Sequence, residues 1–408
     1  MDVSRVCAFL LAGGRGQRLE PLTRDRAKPA VPFGGIYRII DFPLSNCVNS
    51  CIRKVIVLVQ YRSRSLMRHL RDGWQMLFNT AVGEYLETLP PQHDTTETYG
   101  GTADAVFQNL FAVREENPPA ILVLAADHVY KMDYRHLLRF HEERGADATV
   151  GAVEMSLGTA AGQFGVLEVD RDRRILGFEE KPERPRPLPT RPDCCLASMG
   201  IYAFRPEVLY KVLEEDARDP ESSHDFGRDV IPRLVRQRRP VFAFGLGDED
   251  PKADRYWRDV GTIEAYYEAN MDLVAITPHL NLYDPSWPIR TVPIAAPPPK
   301  FVFAGQEPGR VGTALDAVVS PGCILSGGKA ERSVLSPFVR INSYAYVADS
   351  ILFENVVVGR HARLRRTIVD KDVTIPEGMQ IGFFPEEDRK RFTVTESGIV
   401  VISKRMVI

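Results

Sequence analysis

Three short segments of the chain are apolar at every position: residues 6–11, 55–59 and 121–126. Runs of this length that are apolar on both faces predict strands of a parallel sheet covered on two sides. Between them, residues 63–77 and 103–116 carry helical spacing. The alternation predicts an α/β, Rossmann-like domain with a mixed, mostly parallel sheet. Residues 148–153, 165–169, 175–178 and 199–204 are shorter strand candidates with turns between them, and read as a mixed-sheet lid or substrate subregion. Helical patterns return at 206–215, 229–236 and 263–275, the last with Thr262 as its cap. Six prolines between Pro285 and Pro299 forbid a helix or a central strand and predict a linker.

After that linker the pattern becomes a repeat. Ile324, Ile341, Val358 and Ile375 recur every 17 residues, as do Val347, Leu364 and Ile381, and Val334, Ile351 and Ile368. Three aliphatic rows at one period predict three stacked faces per turn, a parallel β-helix of hexapeptide-like coils. The domains expected are thus residues 1–284, a linker at 285–300, and a β-helix at 301–408.

Length and charge narrow the class. At 408 residues with 44% hydrophobic and 26% charged positions, the chain reads as globular with two or three domains. A net charge of −2 provides no basic field for nucleic acid or an anionic membrane. The six cysteines have no metal-ligand spacing, which suggests a reduced cytosolic setting.

The chemistry-bearing stretch follows the first apolar run: Gly13-Gly14-Arg15-Gly16-Gln17-Arg18-Leu19, then Arg26-Ala27-Lys28-Pro29. Three glycines let backbone N–H groups approach a ligand, and Arg18 and Lys28 add fixed positive charge, as a polyphosphate requires. No Gly-Lys-Ser/Thr ends the loop, and Leu19 stands where a dinucleotide fingerprint needs glycine. Asp127 closes the third apolar run, where an acid is unexpected unless it serves a crevice as a metal ligand; the alternative is an N-cap. Asp259 is a second metal candidate. Glu180 and Lys181 suit a sugar hydroxyl and a sugar phosphate, and Ser198 adds a polar contact. Asp225-Phe226-Gly227 resembles a kinase metal motif, but no kinase catalytic loop accompanies it.

These motifs together resemble the bacterial glucose-1-phosphate adenylyltransferases (ADP-glucose pyrophosphorylases) within the sugar nucleotidyltransferases. The similarity extends through Ile39-Ile40-Asp41-Phe42-Pro43-Leu44-Ser45-Asn46, Gly101-Thr102-Ala103-Asp104-Ala105, Asp127-His128-Val129-Tyr130, Glu180-Lys181-Pro182, Ala197-Ser198-Met199-Gly200, Ser223-His224-Asp225-Phe226-Gly227 and Tyr256-Trp257-Arg258-Asp259-Val260-Gly261-Thr262. The resemblance implies Mg²⁺-dependent formation of ADP-glucose and diphosphate from ATP and glucose 1-phosphate, for glycogen synthesis. It implies a left-handed β-helix and a homotetramer under small-molecule effectors. Gly13, Gly14, Gly16, Tyr99 and Gly101 would bind nucleotide. Arg18, Lys28 and Asp127 would be catalytic, with Asp127 and Asp259 holding the metal. Tyr99, Gly165, Glu180, Lys181 and Ser198 would bind the sugar phosphate. Arg38, Arg365, Arg366 and Lys404 are candidate effector contacts. Enteric-type members have a basic residue where Asp25 stands and a histidine where Pro32 stands, so their fructose 1,6-bisphosphate site is not expected intact. The competing readings are another nucleotide or sugar 1-phosphate, or a non-catalytic subunit. The last would be expected to lose charge at Arg18, Lys28, Asp127 or Asp259; all four are present.

Overall fold

The computed structural model describes residues 1–92, 98–248, 255–304 and 309–408. They form two compact units, each discontinuous in sequence. The first comprises Met1–Gly14, Phe42–Ser63 and Leu70–Trp257; the second comprises Arg15–Asp41, Arg64–His69 and Arg258–Ile408.

A nine-stranded sheet forms the first unit. The apolar runs are its central strands: β1 (Cys7–Ala12), β2 (Lys54–Val59) and, after β3 (Tyr85–Leu89), β4 (Ile121–Ala125). β1 lies between β2 and β4, parallel to both, and β2 is parallel to β3. Nearly every residue of these central strands is buried, so alternation would have left polar groups in the core on one face.

The segment read as a mixed-sheet lid or substrate subregion joins this same sheet. β5 (Ala148–Ser156), β6 (Val166–Val169), β7 (Ile175–Glu179) and β8 (Cys194–Phe204) join it, with β9 (Val241–Gly245) parallel to β5. The long β8 runs antiparallel to β4 at its end and antiparallel to β5 along its length. The strand expected over 199–204 is its C-terminal half; the strand begins five residues earlier, at Cys194, and is buried at almost every residue.

Helical segments were legible in type but not in extent. The segment from residue 63 is a helix, Arg64–Gly73, followed by a 3₁₀ turn at Gln75–Leu77. The segment from residue 103 breaks in two: α1 (Thr102–Gln108) and a short turn of helix at Phe111–Arg114. The break falls at Asn109, whose side chain donates to the Ala105 carbonyl at 2.8 Å and so competes with the backbone ladder. Helix α2 (Tyr134–Glu143) is capped by Asp133, not by Asp127, which is followed by a short strand, His128–Tyr130.

In the second unit, three sheets of five, five and six strands form the β-helix, parallel except for the edge strand Thr393–Val394, which runs antiparallel to Val400–Ile402. Two aliphatic rows are as expected: Val347, Leu364 and Ile381 pair in register, as do Val334, Ile351 and Ile368, extended by Val401. The third row is corrected at one end. Ile341, Val358 and Ile375 are stacked, but Leu325, not Ile324, lies opposite Ile341. The coil from Leu325 to Ile341 is one residue shorter than the two that follow it in this row, so counting back by 17 lands on Ile324, which is only half-buried while Leu325 is fully buried. Each coil turns its corners through left-handed residues: Arg332, Asp349 and Arg366 at one corner, and Phe338, Asn355 and Asp372 at another, all with positive φ.

Residues 285–299 contain no helix or strand. Helix α3 (Ile263–Asp272), capped by Thr262 through its hydroxyl to the Ala265 N–H, fastens the rest of the second unit to the β-helix. Tyr267 donates to the Asp349 carbonyl at 2.7 Å, and Tyr266 donates to the Pro32 carbonyl. Arg26 forms a bidentate, fully buried pair with Asp370 at 2.8 and 3.0 Å.

Candidate active site

In the first unit the site residues gather at the carboxyl ends of parallel strands, where α/β sheets bind ligands. Leu11 of β1 is paired with Ala125 of β4, so Gly13-Gly14 and Asp127 leave the sheet side by side. A Cβ on Gly13 would lie 3.3 Å from the Gln60 side chain and 3.9 Å from the Tyr99 ring. A Cβ on Gly14 would meet nothing within 4 Å, so packing does not require that glycine. Gln60 was missed by sequence reasoning. It ends the apolar run 55–59 as Asp127 ends 121–126, and the same signal, a polar residue closing a buried strand, would have found it.

Tyr99 is buried with its hydroxyl directed into the scaffold. It donates to the Leu89 carbonyl at 3.1 Å and accepts from Asn109 at 3.3 Å, and burial pushes its pKa up to about 12. What it offers toward Gly13 is its ring. Gly101 precedes α1, and a Cβ there would lie 2.3 Å from the His224 carbonyl oxygen. That carbonyl accepts from the Ala103 N–H at 2.8 Å, which docks residues 222–227 onto the start of the helix.

A second group collects around Glu180. A Cβ on Gly165 would fall 2.8 Å from a Glu180 carboxylate oxygen, and one on Gly227 would fall at the same distance. The Ser198 N–H donates to the Gly165 carbonyl at 2.8 Å, and β8 bulges between Ser198 and Ile201 around Gly200. Burial raises the Glu180 carboxyl above its usual range; Lys181 opposes this and Asp225 adds to it. Lys181 has a left-handed backbone (φ 50°), and its N–H donates to the Phe164 carbonyl at 3.2 Å. A non-glycine residue held there costs energy and is a mark of functional positions. Its ammonium lies 3.4 Å from Glu180, about half exposed. Asp225 accepts from the Thr102 hydroxyl and from the N–H groups of Gly227 and Arg228, so it organises this loop. Tyr202 stacks on Phe226 at 5.4 Å, and Trp257 packs edge-on against His128 at 4.8 Å and Phe164 at 5.2 Å. The Trp257 indole N–H is buried without a partner among the described residues.

The second unit holds Arg18 and Lys28. Gly16 has φ 63°, and a Cβ there would be 3.0 Å from both Lys28 and Thr23, so this position needs glycine for both backbone and space. Lys28, nearly fully buried, donates to Asp259 at 2.8 Å. The exposed Arg18 guanidinium lies 3.9 Å from the other oxygen of the same carboxylate. Asp259 offers hard carboxylate oxygens, as does Asp127 of the first unit, the kind a hard divalent cation takes.

The candidate effector residues separate. Arg365 and Arg366 line one cavity of about 440 Å³, and Lys404 lines another of about 400 Å³ with Arg24, Arg391, Thr393 and Ser403. Arg38 lines neither; it is committed to Ser65 through bonds of 3.0 and 3.1 Å to the hydroxyl and carbonyl.

A glycine loop at the end of a buried parallel strand, in a chain whose C-terminal region is a β-helix, defines a class. Residues 7–275 match the family described as nucleotidyl transferase, and residues 297–402 match the GlmU-like C-terminal hexapeptide family. The chain belongs to the nucleotidyl transferase family, and its C-terminal region is a left-handed parallel β-helix. The particular members it is similar to are glucose-1-phosphate adenylyltransferases. That of Rhodopirellula baltica is 54% identical over 97% of this chain and 89% of its own. Those of Koribacter versatilis and an Anaeromyxobacter species are 52% and 50% identical, covering 94% and 99% of their own lengths. Among the described residues no helix is long and apolar enough to cross a membrane.

Proposed function

We propose that the protein is a glucose-1-phosphate adenylyltransferase: ATP and α-D-glucose 1-phosphate give ADP-glucose and diphosphate, the committed step of glycogen synthesis. The observation that carries this reading is the charged set kept intact in a chain so similar to enzymes of that name. Lys28 is buried on Asp259 with Arg18 beside it, and Asp127 stands at a strand end instead of capping a helix. In sequence terms the catalytic domain spans 1–284, the linker 285–300 and the β-helix 301–408. The family matches at 7–275 and 297–402 support that layout.

A phosphate oxygen of glucose 1-phosphate attacks the α-phosphorus of ATP, the bond to the bridging oxygen breaks, and diphosphate leaves. No side-chain nucleophile is needed, so catalysis is alignment and charge neutralisation. The N–H groups at Gly13, Gly14 and Gly16 approach the triphosphate, while Arg18 and Lys28 neutralise it. Gln60, Tyr99 and Gly101 border the nucleotide. Glu180 accepts sugar hydroxyls: burial disfavours its ionised form, and donors from a bound sugar compensate. Lys181 takes the sugar phosphate, with Gly165 and Ser198 shaping the pocket. Asp127 and Asp259 would hold Mg²⁺, which supplies charge neutralisation at the reacting phosphates. The chain would work as a cytosolic homotetramer. Its six cysteines are free and five are buried, which supports a reducing setting. Arg365, Arg366 and Lys404, in cavities rich in cations, and Arg38 are read as effector contacts.

The test is diphosphate release from four nucleoside triphosphates against several sugar 1-phosphates, with Mg²⁺. ATP with glucose 1-phosphate should exceed every other pair. Preference for another pair assigns a different nucleotidyltransferase, and no turnover with any pair makes the chain a non-catalytic subunit. Asp127→Asn should fold normally and lower kcat by about two orders of magnitude; full activity would remove Asp127 from the metal site.

A further inference from the structure

Gly227 is not held in the left-handed region, so its backbone does not call for glycine. It is the second residue of a π-helical turn, Phe226–Val230, and is buried. Its space is what the fold uses. A methyl group there would lie 2.8 Å from Glu180 Oε2, 3.3 Å from Asp225 Oδ1 and 3.3 Å from the Phe178 ring. The same Oε2 would lie 2.8 Å from a methyl on Gly165, which would also meet the Phe178 ring at 2.5 Å. One carboxylate oxygen of Glu180 thus occupies a slot walled by two glycines. The other, Oε1, lies 3.4 Å from the Lys181 ammonium.

The two walls differ in what would yield. Behind Gly227 the turn is fixed at both ends. Phe226 is buried, stacked on Tyr202 at 5.4 Å and packed on Phe204 at 5.6 Å, and its carbonyl accepts from the Ile231 N–H. Asp225 accepts from the Gly227 and Arg228 N–H groups at 2.8 and 3.1 Å and from the Thr102 hydroxyl at 2.9 Å. A methyl at Gly227 would therefore move the tip of Glu180 and leave the turn in place, whereas one at Gly165 would strike an aromatic ring as well. π-Helical turns are rare and recur at functional sites. A shift of about 1 Å in a substrate-positioning group costs up to about 100-fold. We propose that Gly227 is a positioning residue for the sugar phosphate: its missing side chain fixes where the Glu180 carboxylate meets the sugar hydroxyls, and so sets which sugar is accepted. The inference rests on the reading of Glu180 as the acceptor of those hydroxyls and adds the residue that aims it.

The test is a double-mutant cycle of Gly227→Ala with Glu180→Ala in the full chain. It is read as the KM for glucose 1-phosphate and for ATP, as glucose 1-phosphate affinity by calorimetry, and as melting temperature. Gly227→Ala should raise the KM for glucose 1-phosphate by roughly 10- to 100-fold and leave that for ATP within about twofold. It should melt at the parent temperature or above, since alanine is the better helix former. Glu180→Ala should mask it, so that the double variant equals Glu180→Ala within about twofold. The parent should reject at least one monodeoxyglucose 1-phosphate strongly, because the missing hydroxyl leaves a buried acceptor unpaired, and Gly227→Ala should reject the same analogue less. Additive effects of the two changes overturn the proposal, because Gly227 would then act without Glu180. A Gly227→Ala chain that melts several degrees lower, or does not fold, makes the slot a packing requirement and overturns it too. If the parent prefers another sugar 1-phosphate, that preference overturns the substrate reading alone, and the same cycle run with the preferred sugar decides Gly227.

Discussion

At the residue scale, Lys181 allows the sharpest separation of roles. Its backbone is strained, its N–H is pinned to Phe164, and its ammonium is half exposed beside Glu180. Removing the ammonium should therefore leave the fold alone and remove one charge-assisted bond to the sugar phosphate. Lys181→Ala is expected to raise the KM for glucose 1-phosphate by roughly 10- to 100-fold with little change in the KM for ATP. Equal effects on both would assign the lysine elsewhere. Asp127 was legible in the sequence because an acid at the end of a buried strand contradicts its surroundings. Gln60 carried the same contradiction in weaker form, an uncharged polar group, and was passed over. The direction of the Tyr99 hydroxyl was not legible, because its partners Leu89 and Asn109 are fixed only by the packing of β3 and α1.

At the element scale, pattern gave type and packing gave extent. The apolar runs became strands because burial on two faces leaves no other hydrogen-bonded solution. The helix at 103–116 failed at Asn109, where a local side-chain bond won. The aliphatic rows of the β-helix were legible except at Ile324, since a one-residue deficit in a coil leaves no mark in composition. A further consequence at this scale comes from His141 of α2, buried and bonded to the Thr149 hydroxyl of β5 at 2.9 Å. Burial, helped by Arg205 and opposed by Glu142, lowers its pKa to about 4 from 6.5. A depressed histidine pKa means that its contribution is complete above pH 6.5 and is lost as pH falls toward 4. The loss is on the order of 3 kcal/mol across that window. His141→Gln, which keeps a hydrogen-bonding group without the titration, should lose less stability than the parent between pH 6.5 and 4.5 in denaturant melts. Parallel losses would show that other groups control the acid limb.

At the scale of the whole molecule, the discontinuity of the units was the least legible feature, because a chain read in order assigns neighbours by sequence. Residues 15–41 come from the first tenth of the chain, yet Arg26 is clamped by Asp370 in the β-helix, 344 positions later. Both side chains are essentially inaccessible. Breaking one partner of such a pair leaves a buried charge, so Arg26→Ala should destabilise the second unit by about 3–5 kcal/mol in chemical denaturation. Arg26→Met with Asp370→Leu should recover most of that loss. If the single and double variants were equally unstable, packing volume and not charge would be the cause.

That clamp also bears on how such chains can diversify. The proline-rich stretch is an obvious place to cut and recombine, and it suggests two cassettes that could be exchanged between relatives. Arg26 and Tyr267, which precede that stretch, are nonetheless bound to Asp370 and to the Asp349 carbonyl, which follow it. A graft of the β-helix alone would arrive without the N-terminal strap that completes it. The heritable module is therefore the pair of segments, and recombination at the linker is selected against unless the strap residues travel with it.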